Sequence, residues 1–467
     1  MPRAGGAVHD HQGFAMLVMK FGGTSVEDAA AMRNVATIVC ERLERRPVVV
    51  ASACARVTNT LLALARTALT DAPASLAMVE QLRGRHRGIA ADLFQDAVLE
   101  TVTVQVDAMM DVLRDLVKSI AILGELTDRS LDTFASFGEK LSTLILTGLF
   151  KQEGMDAILV NAQEVVITSD DYTRAVPITE EILPRARKLI GERVNAGHLV
   201  VTQGFLGATR QGIATTIGRG GSDYSAAILG AALEAEEIQI WTDVDGMMTS
   251  DPSKIPTARL IPEMTFREAA ELAYFGAKVL HPSTILPAVQ KNIPVRILNS
   301  RRPHVPGTVI VAQPTAPSQD PVIAIANKRG VTLVTITSTR MLMMHGFLAR
   351  VFEIFARFER SVDVIATSEV SISLTLDSEN HLEEILKELG RVADVEVEHD
   401  KAIFCVVGEN LRRSRGTLTA IFGALEKHDI PVGMISLGAS EINVTFVVNG
   451  SDAEKTAQVL HHTFFAP

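Results

Sequence analysis

Tryptophan occurs once, tyrosine three times and cysteine three times in the 467 residues. The cysteines, Cys40, Cys54 and Cys405, form no C-x-x-C pair. An odd count at such wide spacing excludes a disulfide framework and a cysteine zinc site, and points to a reducing compartment. No uncharged apolar run is long enough to cross a bilayer. Residues 1–15 lack the apolar stretch of a secretory leader. They read as a disordered extension, with Met16 a second candidate start because the first strand begins there. The 45 basic residues are scattered in a chain of net charge −10, without a stripe of Lys and Arg interleaved with aromatics. Nucleic acid is therefore not expected as a partner, and a cytoplasmic location is.

Hydrophobic residues make up 47% and charged residues 21%, the balance of a folded chain rather than a disordered one. At this length one core is not enough, and two or three domains are expected. From Met16 to about Arg302, short β-branched runs alternate with helical patterns: Leu17–Met19, Pro47–Ser52, Ala157–Asn161, Leu199–Thr202 and Ile238–Thr242. Such alternation predicts a layered α/β domain. Several runs are apolar throughout, as strands covered on both faces are. Residues 75–151 read as mostly helical, with Leu141, Leu144, Ile145 and Leu149 on one helix face. Residues 303–321, Pro-rich from Pro314 to Pro321, read as a linker. An internal repeat follows at a constant offset of 70 residues: Gly346, Leu348, Val351, Phe352 and Ile365 are matched by Gly416, Leu418, Ile421, Phe422 and Ile435. Each copy reads strand, helix, strand, then a strand of period 2.

Four short segments carry the candidate chemistry. Lys20-Phe21-Gly22-Gly23-Thr24-Ser25-Val26 lies between a strand and a helix. Two glycines let the backbone approach a ligand, and a lysine at the strand end offers a mobile cation for phosphate. The spacing does not match a Walker A loop, and a plain tight turn beside a lysine fits the segment taken alone. Gly218-Arg219-Gly220-Gly221-Ser222-Asp223 precedes a helix predicted over Tyr224–Leu233. Ser222 and Asp223 fit helix caps, yet a cap needs no arginine between glycines, whose planar fork suits a small carboxylate. Trp241-Thr242-Asp243-Val244-Asp245-Gly246 ends an apolar strand, where open α/β sheets bind ligands. Asp243 suits nucleotide hydroxyls or a magnesium-bound water, Asp245-Gly246 a plain turn, and simple loop shaping fits all three polar residues. In Phe275-Gly276-Ala277-Lys278-Val279-Leu280-His281-Pro282, Lys278 can reach phosphate, while His281 before proline reads as structural. Two further stretches stand out: Ala51 to Asn59, rich in small residues, and Ser136-Phe137-Gly138-Glu139, predicted to open a helix and to offer Glu139 to an ammonium group.

Together these segments resemble the aspartokinase family of the amino acid kinase superfamily, from about Val18 to the C-terminus. KFGGTSV (Lys20–Val26), TTIGRGGSDYSAA (Thr215–Ala227) and FGAKVLHP (Phe275–Pro282) carry the likeness, and the repeated tail resembles a pair of ACT domains. The resemblance implies an amino acid kinase-type α/β domain with a mainly parallel sheet over 16–302. Two ferredoxin-like βαββαβ ACT domains, at 322–395 and 396–467, are implied after it. It implies transfer of the ATP γ-phosphoryl, with Mg2+ accompanying the nucleotide, to the β-carboxylate of L-aspartate. Lys20 and Asp223 would be catalytic; Phe21, Gly22, Gly23, Thr242, Asp243, Met248, Lys278 and Val279, with Lys20, would hold the nucleotide. Arg219 would take the aspartate α-carboxylate, Glu139 its ammonium, and Ser52, Thr58 and Ser222 would complete the pocket. No metal site built from protein ligands is expected. Met248 stands where several relatives have an aromatic, and Ser253-Lys254 where an arginine is common.

The segments around Met341–Leu348 and Val362–Val370 resemble the effector site of lysine-inhibited members. Met341, Met344, Phe347, Leu348, Val362, Asp363, Ser368 and Glu369 would form it, with Met343 and Met344 replacing polar residues. A homodimer or homotetramer through the ACT domains, inhibited by L-lysine, is the implied assembly. The length leaves no room for a fused homoserine dehydrogenase. Two alternatives stay open: an amino-acid sensor without catalysis, and a kinase acting on another carboxylate.

Overall fold

The computed structural model describes residues 16–275, 282–314, 320–338, 345–409, 411, 414–437 and 441–466. Lys278, Val279, His281, Met341, Met343 and Met344 lie outside the described residues, as do 1–15. The chain runs β1 (Leu17–Phe21), α1 (Ala29–Cys40), β2 (Pro47–Ala51), α2 (Val57–Thr67), α3 (Ala72–Leu93), α4 (Asp96–Leu123) and α5 (Asp128–Gln152). There follow β3 (Ala157–Val160), α6 (Ala162–Val165), α7 (Thr179–Ala186), α8 (Glu192–Asn195), β4 (Leu199–Gln203), β5 (Leu206–Ala208), β6 (Ala214–Thr216), α9 (Gly221–Leu233) and β7 (Glu237–Thr242). Next are β8 (Glu263–Thr265), α10 (Phe266–Tyr274), α11 (Leu286–Gln290), β9 (Val295–Asn299) and β10 (Thr308–Val311). The tail adds β11 (Ala324–Thr337), α12 (Phe347–Arg357), β12 (Ile365–Thr367), β13 (Ser371–Leu376), α13 (Leu382–Leu389), β14 (Asp394–Val407), α14 (Thr417–Lys427), β15 (Met434–Ser436), β16 (Asn443–Asn449) and α15 (Ala453–Phe465). No helix among the described residues is long and apolar enough to cross a membrane.

The chain divides into two compact units: residues up to Gly246 with Ser283–Ala312, and Met247–Pro282 with Gln313–Pro467. Residues 247–282 thus group with the tail, so the expected boundary near 302 does not coincide with the division into units. In the first unit the sheet order is β3-β4-β2-β1-β7-β9-β10. All neighbours are parallel except β9 and β10. The central strands β1, β2 and β4 are buried along their full length. Apolar residues dominate them, as strands covered on both faces require, with Lys20 of β1 and Thr202 and Gln203 of β4 the buried polar exceptions. Because these strands are parallel, the turns after β1, β2, β4 and β7 all emerge at one edge. The short helical turn Gly23–Val26 separates β1 from α1, whose N-cap Asp28 accepts from Ala31 N–H.

In the second unit the six-stranded sheet runs β12-β13-β11-β14-β16-β15. β11 and β14 pair antiparallel over almost their whole length, with the register shifting between Arg329 and Leu333. Gly330 (φ 70) and Asp400 (φ 49) supply left-handed backbone around that shift. The shift splits each long strand between two modules. The latter part of β11, then α12, β12, β13, α13 and the start of β14 form one βαββαβ module over its own apolar core. The end of β14, then α14, β15, β16 and α15 form the other, whose closing strand is residues 324–329 at the start of β11. The repeat boundary set at 395/396 therefore falls inside β14, and the second module is not a continuous stretch of chain.

Candidate active site

Lys20 lies in β1, 8% exposed. A buried ammonium needs a counter-charge, and its Nζ stands 2.6 Å from Oδ1 of Asp223. Asp223 occupies the first turn of α9, where a helix N-terminus favours an anion. The helix starts at Gly221, three residues earlier than predicted, and its N-cap is Gly220 in the left-handed conformation (φ 71) with no side-chain cap bond. The capping role considered for Ser222 and Asp223 is therefore not taken up. Asp223 is turned to the lysine of the neighbouring strand instead.

Gly22 N–H donates to Trp241 O (3.0 Å), which places the first glycine turn beside the carboxyl end of β7, where Thr242 and Asp243 follow. On the other side, Ser52 N–H donates to Phe21 O (3.1 Å) and Ala55 N–H to Gly23 O (3.0 Å). A Cβ on Gly23 would lie 3.0 Å from Ala53 O, so the closeness of these two loops favours glycine there. Gly204 is similarly constrained, because a Cβ on it would lie 2.7 Å from Cβ of Ser222.

Glu139 does not open its helix. α5 begins at Asp128 behind the cap Thr127, so Glu139 sits mid-helix. It is 3% exposed; Oε1 accepts from Ala53 N–H (3.1 Å), and Oε2 is buried without a partner. Burial pushes its pKa up to about 8, the Ala53 hydrogen bond opposing the shift. A cavity of about 400 Å³ gathers Lys20, Gly23, Ser52, Thr58, Glu139, Arg219, Ser222 and Asp223 into one lining. Arg219 is exposed. Phe205 (φ 64) and Arg56 (φ 69), both left-handed, also line it with Asn59 and Cys54. Sequence reasoning passed over Phe205 and Arg56 as functional residues, since a strained backbone leaves no mark on residue type when the residue is not glycine. The Cys54 thiol is pushed up to about 12 by burial and is no nucleophile at neutral pH.

Thr242 and Asp243 lie outside that lining, at the neighbouring strand end. Asp245 is more than a turn residue: it accepts from Asn299 Nδ2 (2.6 Å) and pairs with Arg302. Met248 belongs to the second unit. Among the described residues no group of three or more His, Cys, Asp or Glu side chains is arranged to hold a metal ion.

Of the residues expected to hold an effector, Phe347 is buried at the start of α12 and Leu348 beside it is exposed. Ser368 and Glu369 form the turn between β12 and β13, where Ser368 N–H donates to Ser371 O (2.8 Å). Asp363, next to Val362, accepts from Tyr274 Oη (2.9 Å) and pairs with Lys328 Nζ (3.0 Å).

An ammonium, a guanidinium and an orphaned carboxylate oxygen facing one cleft beside a glycine turn suit a zwitterion held against phosphate. The class defined by this sheet and cleft is the amino acid kinase family, which residues 15–299 match; residues 404–464 match the ACT domain family. Lysine-sensitive aspartokinase 3 of Escherichia coli K12 is 40% identical over 466 residues, covering 96% of this chain and 99% of its own. Chloroplastic aspartokinase 3 of Arabidopsis thaliana is 41% identical over 463 residues, covering 96% and 81%. The crystal structure of E. coli aspartokinase III with aspartate and ADP (R-state) superposes with a TM-score of 0.80 at 38% identity, covering 96% of this chain and all of that one. Its complex with lysine and aspartate (T-state) gives 0.83 at 38%, covering 96% and 99%. The chain belongs to the aspartokinases.

Proposed function

We propose that this chain transfers the γ-phosphoryl of ATP to the β-carboxylate of L-aspartate, giving 4-phospho-L-aspartate. The observation that carries the reading is the 2.6 Å Lys20–Asp223 pair in one cleft with Glu139 and Arg219. The attacking carboxylate is ionised at neutral pH, so no general base is required. What the reaction needs is alignment of two anions that repel each other. Lys20 neutralises charge on the moving phosphoryl, and Asp223 keeps the ammonium at the end of β1 until phosphate draws it away. Phe21, Gly22 and Gly23 bring backbone close to the phosphates, and Thr242 and Asp243 take the nucleotide beyond them. Arg219 grips the α-carboxylate through its fork, Glu139 takes the ammonium, and Ser52, Thr58 and Ser222 close the pocket. Mg2+ enters with ATP, held chiefly by phosphate oxygens and water.

The reading extends to location, assembly and control. The protein works in the cytoplasm as a homodimer or homotetramer joined through its ACT modules. L-Lysine binds at Phe347, Leu348, Val362, Asp363, Ser368 and Glu369 and inhibits, the E. coli relative having been solved with lysine. Inhibition requires a state that binds lysine better and substrates worse.

ADP release in the presence of aspartate tests the assignment. Lys20→Ala is expected to abolish turnover while the far-ultraviolet circular dichroism stays that of the parent; an active, folded variant refutes Lys20's role. A sensor without catalysis releases no ADP with any amino acid.

A further inference from the structure

Asp132 belongs to no segment singled out for chemistry, yet it is 1% exposed and carries three hydrogen bonds. Its Oδ1 accepts from Thr216 Oγ1 (2.6 Å), and its Oδ2 accepts from Thr216 N–H (3.0 Å) and Thr173 N–H (2.9 Å). A buried carboxylate is costly unless donors converge on it, and here all three come from two segments that meet under Gly218. Thr173 is a β-branched residue at φ 69, a strained conformation. Its carbonyl oxygen would stand 3.6 Å from a Cβ on Gly218, and Ala175 N–H donates to Thr216 O (2.9 Å). The base of the Gly218–Asp223 turn is thus gripped from below, and the grip ends on Asp132.

Asp132 and Glu139 stand seven residues apart on α5, two turns along one face. Farther along the same helix Ser142 Oγ donates to Ser52 O (2.7 Å), and Thr143 Oγ1 accepts from Gln203 Nε2 (3.0 Å). One rigid helix therefore ties down the turn bearing Arg219, the Ser52–Asn59 loop and the end of β4.

We propose that Asp132 is a positioning residue for the phosphoryl acceptor. It holds the Thr216–Asp223 turn, and with it Arg219, at a set distance from Glu139, so that carboxylate-binding and ammonium-binding groups match the span of one amino acid. This rests on the assignment of Arg219 and Glu139 to aspartate made above. A misplaced fork weakens aspartate in particular, because the hydrogen bonds of Asp132 go to Thr173 and Thr216 and not to β1 or β7, on which the nucleotide side is built. Asp223 ends the same turn beside Lys20, so kcat falls together with aspartate affinity.

Steady-state kinetics of the full chain test it. Asp132→Ala is expected to raise the aspartate KM at least about tenfold, with the ATP KM within about twofold. Asp132→Asn keeps an acceptor for both N–H groups and is expected to recover most of the loss, to within about threefold of the parent. Thr216→Val, which removes one hydroxyl and keeps the shape, is expected to raise the aspartate KM about threefold, and it carries the test if Asp132→Ala does not fold. In an Arg219→Ala background the Asp132→Ala step is expected to add less than about twofold, since the group it positions is gone. Additive losses, parallel rises in both KM values, or a loss of melting temperature and kcat with the aspartate KM unmoved overturn the proposal. Arg219→Ala alone separates the two levels. If it leaves the aspartate KM unchanged, the assignment of Arg219 fails and this inference with it; if it raises KM and Asp132→Ala does not, only this inference fails.

Discussion

Burial takes Glu139 well away from the ordinary behaviour of a carboxylic acid. It raises the pKa to about 8, which favours the neutral acid at pH 7. An ammonium guest needs it ionised, so aspartate binding releases a proton below that pH. The aspartate KM is expected to climb as pH falls below about 8, approaching about tenfold per pH unit, and Glu139→Gln to flatten that slope. Stability follows the opposite sign. The folded pKa lies above the unfolded 4.5, so the neutral acid supports the fold at low pH. That support is lost as pH rises from about 4.5 to about 8, with no further change above. Melting temperatures across that range, with and without aspartate, check both statements; a KM that does not vary between pH 6 and 8 rejects the ionisation scheme. Lys20 shows the converse economy, its burial made tolerable by a carboxylate 2.6 Å away on another element.

Among the elements, α5 decides where the substrate loops lie, and it approaches them at Gly138. A Cβ there would stand 2.7 Å from Cβ of Ala53 and 3.6 Å from Thr58 Oγ1. Alanine gains about 1 kcal/mol of helix propensity over glycine, but overpacking costs about 1–3 kcal/mol. Gly138→Ala is therefore expected to lower stability by up to about 2 kcal/mol in a denaturant titration and to raise the aspartate KM by displacing the Ser52–Asn59 loop. A stabilised variant with unchanged kinetics contradicts the packing described. Strands β1, β2, β3, β4 and β7 of the first sheet were legible in the sequence because strands buried on both faces are mostly apolar. β9 was not singled out, and β10 lies inside residues 303–321, which read as a linker, because a four-residue strand between prolines leaves too short a pattern. Lys20, the Gly22–Gly23 turn, Arg219 and Asp223 were legible because glycine beside a charged residue marks close backbone approach. The helical start of α5 was not: Thr127-Asp128 is an unremarkable pair until Ser130 N–H is seen to donate to Thr127 Oγ1. Asp132 was hidden for a related reason, since its three donors come from residues 41 and 84 positions away along the chain.

For the protein as a whole, the regulation proposed above depends on what the segment around Asp363 touches. Asp363 is shared by Lys328 and by Tyr274, the last residue of α10, four positions before Lys278. Glu271, one turn earlier on α10, accepts from Asn443 Nδ2 of β16 (2.6 Å). Among the described residues α10 therefore has a polar contact with each module, and a change around Asp363 has a direct route to the residues just before FGAKVLHP. Tyr274→Phe is expected to keep ADP release in the absence of lysine and to shift half-inhibition by lysine roughly threefold or more. An unchanged inhibition curve removes Tyr274 from the route. Threonine and methionine titrated in the same assay separate lysine from the other candidate effectors.

The repeat of 70 residues was readable because the two modules share their apolar pattern. Their interlocking was not, because pairing between β11 and β14 joins segments far apart along the chain. That interlocking sets an order of assembly. Residues 324–329 leave the ribosome ahead of the whole first module, yet the neighbours that complete their sheet appear only after it has been made. The opening stretch of the tail waits for its partner strand until the first module has been made, so the first module is enclosed by the second as a clause is by parentheses.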